Sequence, residues 1–443
     1  MHKVSQYIVE KDFFDKKHNT STSLLYSTQT SKLMCIDSHS WNAIKNGNKD
    51  AVDTETLTKL KKNKILVDQD TDELRQILKE NRLAVENKKT LYFAMQPSAN
   101  CSLGCGYCGQ KHTNNQLKKD LHEATIEHIR TKLKKKHYKN LAISWFGAEP
   151  ISGIQVIRKL TPELMKLADE FNLQYSSAMV TNGLSLSDYM ANELINTHKV
   201  TSFEITLDGD ESFHDARRHL KTGGKTFQQI YTNLLNLVNK YGEQTSISLR
   251  SNVDDRNKDG ITPLIDRLKK DNILNRCNLY FAPIHSWGND ADQLVHSKKE
   301  WSESEIEWFI YLKENGYNTD LLYKRRKIQC IAVTDDDELI DPFGNVYNCT
   351  EVSLVPTYEK NEKNRHAFNH VTSNDRDDDN KDYFKNFVTR EKLKEFPCHQ
   401  CNIFPICGGA CPKEWLEGRS PCPSIKYNIK ERMLLSYLWT QRN

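Results

Sequence analysis

What this sequence lacks narrows it first. No apolar run approaches the length of a membrane span, and the N-terminus, Met1-His-Lys-Val-Ser5, has no apolar signal segment. The expectation is a soluble, cytoplasmic protein with no membrane partner. Charge of one sign is missing too. The chain has 63 Lys and Arg against 59 Asp and Glu, a net +4 spread along its length, which makes no case for a nucleic-acid partner. The basic run Lys132-Leu-Lys-Lys-Lys-His137 falls at helical spacing and reads as a solvated face. Internal repeats are absent beyond an alternation of strand and helix patterns. The hydrophobic share of 37% is modest, yet 443 residues suffice to bury a large core across two or three domains.

Cysteine is what the chain does have. Twelve cysteines in a cytoplasmic protein read as metal ligands rather than disulfides. Ten fall into two groups, Cys101 to Cys108 and Cys330 to Cys422. Cys35 and Cys277 stand alone in apolar strand-like runs and read as packed core thiols. Cys101, Cys105 and Cys108 follow the strand-like run Thr90–Met95 directly. Thiolates bind soft metals, and an iron–sulfur cube normally takes four cysteines, so three in one short loop suggest a cube with one iron left open. Zinc uses the same residue type and is the alternative.

The x3 then x2 spacing, with Tyr107 before the last cysteine, resembles the cluster loop of the radical S-adenosylmethionine enzymes. The resemblance implies a [4Fe–4S] cluster whose open iron chelates S-adenosylmethionine, and whose electron splits it to a 5′-deoxyadenosyl radical. Further motifs agree in order. Strand-like runs at Leu91–Met95, Leu141–Phe146, Tyr175–Val180, Ser202–Leu207, Ser246–Arg250 and Leu279–Pro283 alternate with amphipathic helices, which predicts a parallel sheet with ligands at the C-terminal strand ends. Six βα units over residues 86–317 resemble the family's partial (β/α)6 barrel.

The second strand ends in Phe146-Gly147-Ala148-Glu149-Pro150, similar to the family's Gly-Gly-Glu-Pro, so Gly147, Ala148 and Glu149 are expected to receive the cofactor's ammonium. Ala148 departs from the family glycine. Thr181-Asn-Gly183 matches the next turn. Thr206-Leu-Asp208-Gly209 and His214-Asp-Ala-Arg-Arg218 resemble segments whose hydroxyl and arginine contact ribose and carboxylate, which assigns Thr206 and Arg218. Asn252, in Leu249-Arg-Ser-Asn252, takes a ribose-side role, and Tyr107 joins the same cofactor set.

Residues 318–443 carry Cys330, Gly344-x4-Cys349, Cys398-x2-Cys401-x5-Cys407-x3-Cys411 and Cys422. This resembles the seven-cysteine SPASM extension. The resemblance implies two auxiliary [4Fe–4S] clusters, giving three in all. Cys398, Cys401, Cys407 and Cys422 hold one completely; Cys330, Cys349 and Cys411 hold the other with three thiols. Its fourth iron is open to substrate or takes an oxygen ligand such as Asp336. Gly344 sits in a turn expected to close a hairpin between Cys330 and Cys349. The charged stretch 356–396, with Asp375-Arg-Asp-Asp-Asp-Asn-Lys381, reads as a surface insertion.

Residues 1–85 read as strands Val4–Phe13, Ser23–Thr28 and Lys32–Asp37, then helices Ser38–Lys45, Thr54–Asn63 and Asp72–Asn81 with a wing at Ile65–Val67. The order looks like the leader-recognition element of peptide-modifying enzymes, where a peptide adds a strand to a sheet edge. A generic winged-helix domain is the alternative. The expected fold is therefore α/β: a partial (β/α)6 barrel, an N-terminal winged-helix-like α+β module and a C-terminal cysteine-rich cluster domain. The expected activity is maturation of a ribosomally made precursor peptide, by a thioether or a carbon–carbon or carbon–oxygen crosslink. An electron donor such as flavodoxin or ferredoxin is implied. Two other readings stand: a formylglycine-forming sulfatase-maturase type, and a zinc-stabilised nucleic-acid-binding module. No catalytic base is identifiable; His285, Asp254 and Asp335–Asp337 are candidates.

Overall fold

The computed structural model describes residues 2–48, 50, 52–285, 297–360, 363–373 and 384–441. The chain opens with β1 (His2–Val4), β2 (Ile8–Asp15), β3 (Thr20–Ser27) and β4 (Lys32–Asp37), then α1 (Ser38–Lys45), α2 (Thr54–Lys62), β5 (Leu66–Asp68) and α3 (Glu73–Glu86). The sheet order is β2-β3-β4, antiparallel, while β1 pairs with the wing strand β5. Each helix starts at an aspartate, Asp37, Asp53 or Asp72, whose carboxylate accepts a backbone N–H three residues on. The single strand expected over Val4–Phe13 is two. Glu73 breaks it, accepting from Ser5 Oγ at 2.5 Å and from the Gln6 N–H at 3.0 Å.

Both faces of this sheet are covered. Leu25 and Ile36 pack with Trp41, Ile44 and Leu60, whereas Leu24 and Tyr26 pack on Ile403, Ile406, Ile425 and Met433 near the C-terminus. β3 is consequently buried along most of its length. Cys35 departs from the expected core thiol: on edge strand β4 its neighbour Ile36 points inward and Cys35 is exposed. Cys277 is buried.

The central sheet follows: β6 (Thr90–Met95), α4 (Asp120–Leu133), β7 (Asn140–Trp145), α5 (Ile154–Glu170), β8 (Gln174–Thr181), α6 (Asp188–Asn196), β9 (Val200–Thr206), α7 (Glu211–Arg217), α8 (Phe227–Tyr241), β10 (Ser246–Val253), α9 (Ile261–Lys270) and β11 (Asn278–Pro283). The six strands are parallel and lie in sequence order. Their apolar residues interdigitate with the inward faces of the helices in one large core. This is an α/β fold with an open barrel, as the alternation predicts.

α10 (Lys298–Glu314) leads out of the barrel. β12 (Glu338–Ile340) then joins β6 in parallel, and β13 (Asn345–Tyr347) returns beside it through a turn in which Gly344 adopts φ +85°. β14 (Glu359–Lys360) and β15 (Lys363–Asn364) form a small hairpin, and β16 (Asn369–His370) pairs with β13. The stretch 356–396 is thus not a surface insertion throughout: β16 extends the central sheet, and Phe368, Phe384, Phe387 and Leu393 are buried. Its acidic run at 375–381 lies outside the described residues. α11 (Ile425–Thr440) closes the chain against α10 and β2. Lys132 also departs from the solvated face expected of its run. It is buried and ion-paired to the buried Glu338, while Lys134 and Lys135 remain exposed. Among the described residues, no helix is long and apolar enough to cross a membrane.

Candidate active site

The C-terminal ends of the barrel strands carry the predicted residues to one place. The loop after β6 is pinned to the segment after α7. Gly104 N–H donates to His219 O at 2.9 Å, Gly106 N–H to Arg217 O at 3.3 Å, and Lys221 N–H to Ser102 O at 2.9 Å. Cys101 is buried, Cys105 and Cys108 partly so. Burial, together with the neighbouring Cys108 and Cys101 thiols and Asp208, pushes Cys105 up to about 11, against the pull of Arg218. Arg218 likewise acts on Cys101 and Cys108, so one guanidinium stands beside all three thiols. Asn182 Nδ2 lies 3.7 Å from Cys101 Sγ and His112 Nε2 lies 3.8 Å from Cys108 Sγ.

Tyr107 organises the cofactor side of the loop. Its hydroxyl donates to Asp208 Oδ2 at 2.6 Å and accepts from Arg218 Nη1 at 2.6 Å and Asn252 Nδ2 at 3.1 Å. Burial first, and then Asp208, hold this phenol protonated far above its ordinary range. Arg218 is 6% exposed, and its Nε has no partner. A buried guanidinium with a spare donor beside three thiols fits a carboxylate chelated at an iron held by those thiols. Arg217 Nε also lacks a hydrogen-bond partner, but it lies 3.8 Å from Asp208 Oδ2, and Arg217 Nη1 donates to Asp254 Oδ1 at 2.6 Å, so this arginine is tied to two carboxylates.

Gly147 and Ala148 take positive φ, +77° and +40°. At Gly147 a Cβ would meet Gln96 Nε2 at 2.2 Å, so only glycine lets the β6 and β7 ends approach. Ala148 carries strain that a family glycine would not. Its N–H donates to Gln110 Oε1 at 2.9 Å. Glu149 is buried, and its carboxylate is already engaged. It accepts from Ile151 N–H at 3.0 Å, Thr181 Oγ1 at 2.8 Å and Asn182 N–H at 2.8 Å. Burial nevertheless pushes its pKa up. Glu149 thereby fixes the Thr181-Asn-Gly183 turn.

A cavity of about 190 Å³ opens here, lined by Tyr107, Cys108, Thr206, Arg250 and Asn252 on the barrel side and by His285, Thr350 and Glu351 on the other. A second, of about 330 Å³, is lined by Cys330, Cys349 and Cys411 and again by Thr350 and Glu351. The two chambers share that wall. Cys398, Cys401, Cys407 and Cys422 line a third and narrower space. Lys426 Nζ lies 3.4 Å from Cys422 Sγ. All twelve cysteines are free. Among the described residues, no three His, Cys, Asp or Glu side chains are gathered closely enough for a single metal ion. Cys330, Cys349 and Cys411 line one shared space and Cys398, Cys401, Cys407 and Cys422 another, whereas of the loop cysteines Cys108 alone lines the barrel cavity.

The base candidates separate. Burial alone would raise Asp254, but Arg256 and Arg217 hold its pKa low and keep it structural. Asp336 accepts from Tyr138 Oη at 2.6 Å and Asp337 from the Tyr92 N–H at 3.0 Å. Neither lines the three-cysteine chamber, which removes Asp336 as its oxygen ligand. His285 does face the barrel cavity, with Nε2 3.8 Å from Glu351 Oε2. Burial lowers its pKa against the pull of that carboxylate. Asp208 and Glu351 were not singled out by the sequence. Asp208 had a signal in the Leu-Asp-Gly triplet; Glu351 had none.

Residues 95–254 match the family described as the Radical SAM superfamily. The fold resembles anSMEcpe with bound AdoMet and Cp18Cys peptide, at TM-score 0.56 and 16% identity, covering 80% of this chain and 97% of that one. It also resembles Streptococcus suis SuiB bound to precursor peptide SuiA, at TM-score 0.50 and 13% identity, covering 96% and 99%. SuiB bound to S-adenosylmethionine matches at TM-score 0.50 and 14% identity, covering 95% and 97%. No curated protein matches this chain. The family match spans the cysteine loop after β6 and the whole of β7, β8, β9 and β10, so residues 95–254 carry a radical SAM domain.

Proposed function

We propose that this enzyme matures a ribosomally made precursor peptide, binding a leader through residues 1–85 and installing an intramolecular thioether, carbon–carbon or carbon–oxygen link. The observation that carries this reading is the wall that Thr350 and Glu351 form between the barrel cavity and the three-cysteine chamber. A substrate in the barrel cavity lies against the place where an auxiliary cluster can take up the electron that crosslinking releases. The outer edge of β4 pairs with no strand among the described residues, which suits strand addition by a leader. SuiB, whose likeness extends over 96% of this chain, is described bound to a precursor peptide.

With a cluster on Cys101, Cys105 and Cys108, the chemistry supplied is one-electron cleavage of S-adenosylmethionine for hydrogen abstraction. The chain's own residues do the rest. Arg218 offers its free Nε to the cofactor carboxylate; Thr206 and Asn252 face the ribose; the carbonyls of Gly147 and Ala148 receive the ammonium, with Glu149 holding the adjoining turn. Cys398, Cys401, Cys407 and Cys422 hold a second auxiliary cluster, and an electron donor such as flavodoxin or ferredoxin supplies reducing equivalents.

The test has two stages. Anaerobically purified protein should hold about 12 irons per chain and the Cys101/Cys105/Cys108→Ala variant about 8, with little zinc. The holoenzyme, given S-adenosylmethionine, a reductant and a precursor peptide encoded beside it, should form 5′-deoxyadenosine and a peptide lighter by two hydrogens, only when the leader is attached. Equal modification of a leaderless core would sink the leader assignment. Zinc in place of iron would sink the radical reading of the cysteines.

A further inference from the structure

The chamber lined by Cys330, Cys349 and Cys411 offers three thiols to a cube with four irons. Its polar lining leaves one anionic candidate for the fourth. Lys413 is a cation and is taken up by Tyr358 Oη at 3.2 Å, Glu414 Oε1 at 2.8 Å and Glu417 Oε2 at 3.1 Å. Gln329 turns its amide oxygen toward Gly408, 3.0 Å from where a Cβ would stand there. Thr350 is neutral.

Glu351 differs from all of these. It stands two residues beyond Cys349, and its N–H lies 3.5 Å from Cys349 Sγ, so the side chain leaves the backbone beside a ligand. Its carboxylate is loosely held, with Thr350 Oγ1 at 3.4 Å and His285 Nε2 at 3.8 Å. It also lines the barrel cavity, where a substrate would meet it.

We propose that Glu351 is the oxygen ligand of the fourth iron in the three-cysteine auxiliary cluster, displaceable by an anionic donor arriving from the barrel cavity. The inference rests on the reading of Cys330, Cys349 and Cys411 as a cluster set. Iron accepts carboxylate oxygen as well as thiolate, but the softer donor binds more firmly, so a carboxylate here closes the site without sealing it.

The test uses the full chain carrying Cys101/Cys105/Cys108→Ala, so that only auxiliary clusters are loaded, with and without Glu351→Gln, Glu351→Ala and Glu351→Cys. Each protein is reconstituted anaerobically, its iron counted, and cyanide titrated as a small anionic probe while electron paramagnetic resonance of the reduced clusters is recorded. Glu351→Gln and Glu351→Ala should change one cluster's signal before any cyanide is added, and should bind cyanide about tenfold more tightly than the parent, a change of about 1.4 kcal/mol. Glu351→Cys should hold about 8 irons and resist cyanide. A structural role for Glu351 does not predict that rescue. If Glu351→Ala loses the cluster, restoration by Glu351→Cys alone still supports ligation. Identical spectra and cyanide affinities at about 8 irons in every protein would overturn the inference and leave the cluster reading standing. About 4 irons in the parent would overturn both, because the three-cysteine set would then hold no cube.

Discussion

Tyr107 donates its phenolic proton to Asp208 Oδ2 across 2.6 Å, tying the cysteine loop to the residue just beyond the fourth barrel strand. The Tyr107 hydroxyl oxygen in turn accepts from Arg218 Nη1 and Asn252 Nδ2. One hydroxyl therefore sets the two side chains proposed above to hold the cofactor. Tyr107→Phe removes it, leaves a fully buried carboxylate short of a donor, and frees Arg218 to turn toward Asp208. The loop cysteines are untouched, so iron content should stay at the parent value. S-adenosylmethionine affinity should fall about tenfold and stability by about 1–3 kcal/mol. Equilibrium binding and urea unfolding, measured side by side, check both. Unchanged affinity would mean that Tyr107 anchors the loop and nothing more.

Arg218→Lys keeps the charge and loses the fork. Lysine cannot reach Tyr107 and present a second donor to a carboxylate together, as the guanidinium can through Nη1 and Nε. Affinity for S-adenosylmethionine should drop about 10- to 100-fold, the range expected when a charged hydrogen bond worth about 1.5–3 kcal/mol is lost. Arg217→Lys, at the neighbouring Asp254 pair, should instead act mainly on stability. If Arg217→Lys produces the larger loss of affinity, the two arginines have been assigned the wrong way round.

Why some of this was legible in the sequence and some was not comes down to where each partner sits. β6 and β7 are written as mostly apolar runs, and β9 and β10 alternate a buried apolar residue with a polar one, two patterns that both mark strands. The strand-end residues follow within a few positions of each run, so Thr206 and Asn252 could be placed by counting. The break at Ser5-Gln6 could not, because Glu73, which makes it, lies 68 residues from Ser5 and belongs to another element. The Asp335–Asp337 run offered base candidates for the same reason: its partners are remote in sequence, Lys88 and the Tyr92 N–H for Asp337, Tyr138 for Asp336, and Arg82 and Lys385 for Asp335. Lys132 seemed one of several solvated lysines until β12 placed Glu338 beneath it. Glu351 had no spacing to mark it, being a lone glutamate after a cysteine.

Ala148 holds φ +40° at a position where an L side chain is strained. Ala148→Gly removes the Cβ and relieves about 1–2 kcal/mol of left-handed strain, less the extra freedom that glycine gains in the unfolded chain, about 0.4–1 kcal/mol. A net stabilisation of roughly 0.5–1 kcal/mol should appear as a higher midpoint in urea with an unchanged slope. Gly147→Ala should do the opposite and more strongly, since its Cβ would stand 2.2 Å from Gln96 Nε2. Should Ala148→Gly destabilise the protein, the turn is held by contacts to the alanine methyl and not merely tolerated.

Glu338 couples the sheet to acid. Its side chain is fully buried, with Oε2 2.7 Å from His128 Nε2 and Oε1 paired to Lys132. Burial opposes its ionisation, but Lys132 and His128 outweigh burial and bring its pKa from 4.5 down to about 2. A carboxylate more acidic in the folded than in the unfolded state stabilises the fold at pH above its unfolded value. That stabilisation is lost as pH falls from about 4.5 toward 2. Unfolding midpoints measured from pH 6 to pH 3 should therefore decline in the parent. Glu338→Gln lacks this titration and should decline less over the same span. At neutral pH the variant should already be weaker by about 3–5 kcal/mol, because Lys132 is left buried without its counter-ion. Restoring neutrality with Lys132→Met in the Glu338→Gln background should recover much of that loss, since a buried pair replaced by apolar or neutral groups of similar volume is often no less stable than the pair itself. A double variant as weak as Glu338→Gln alone would mean that Glu338 acts through His128, and that the ion pair with Lys132 is incidental.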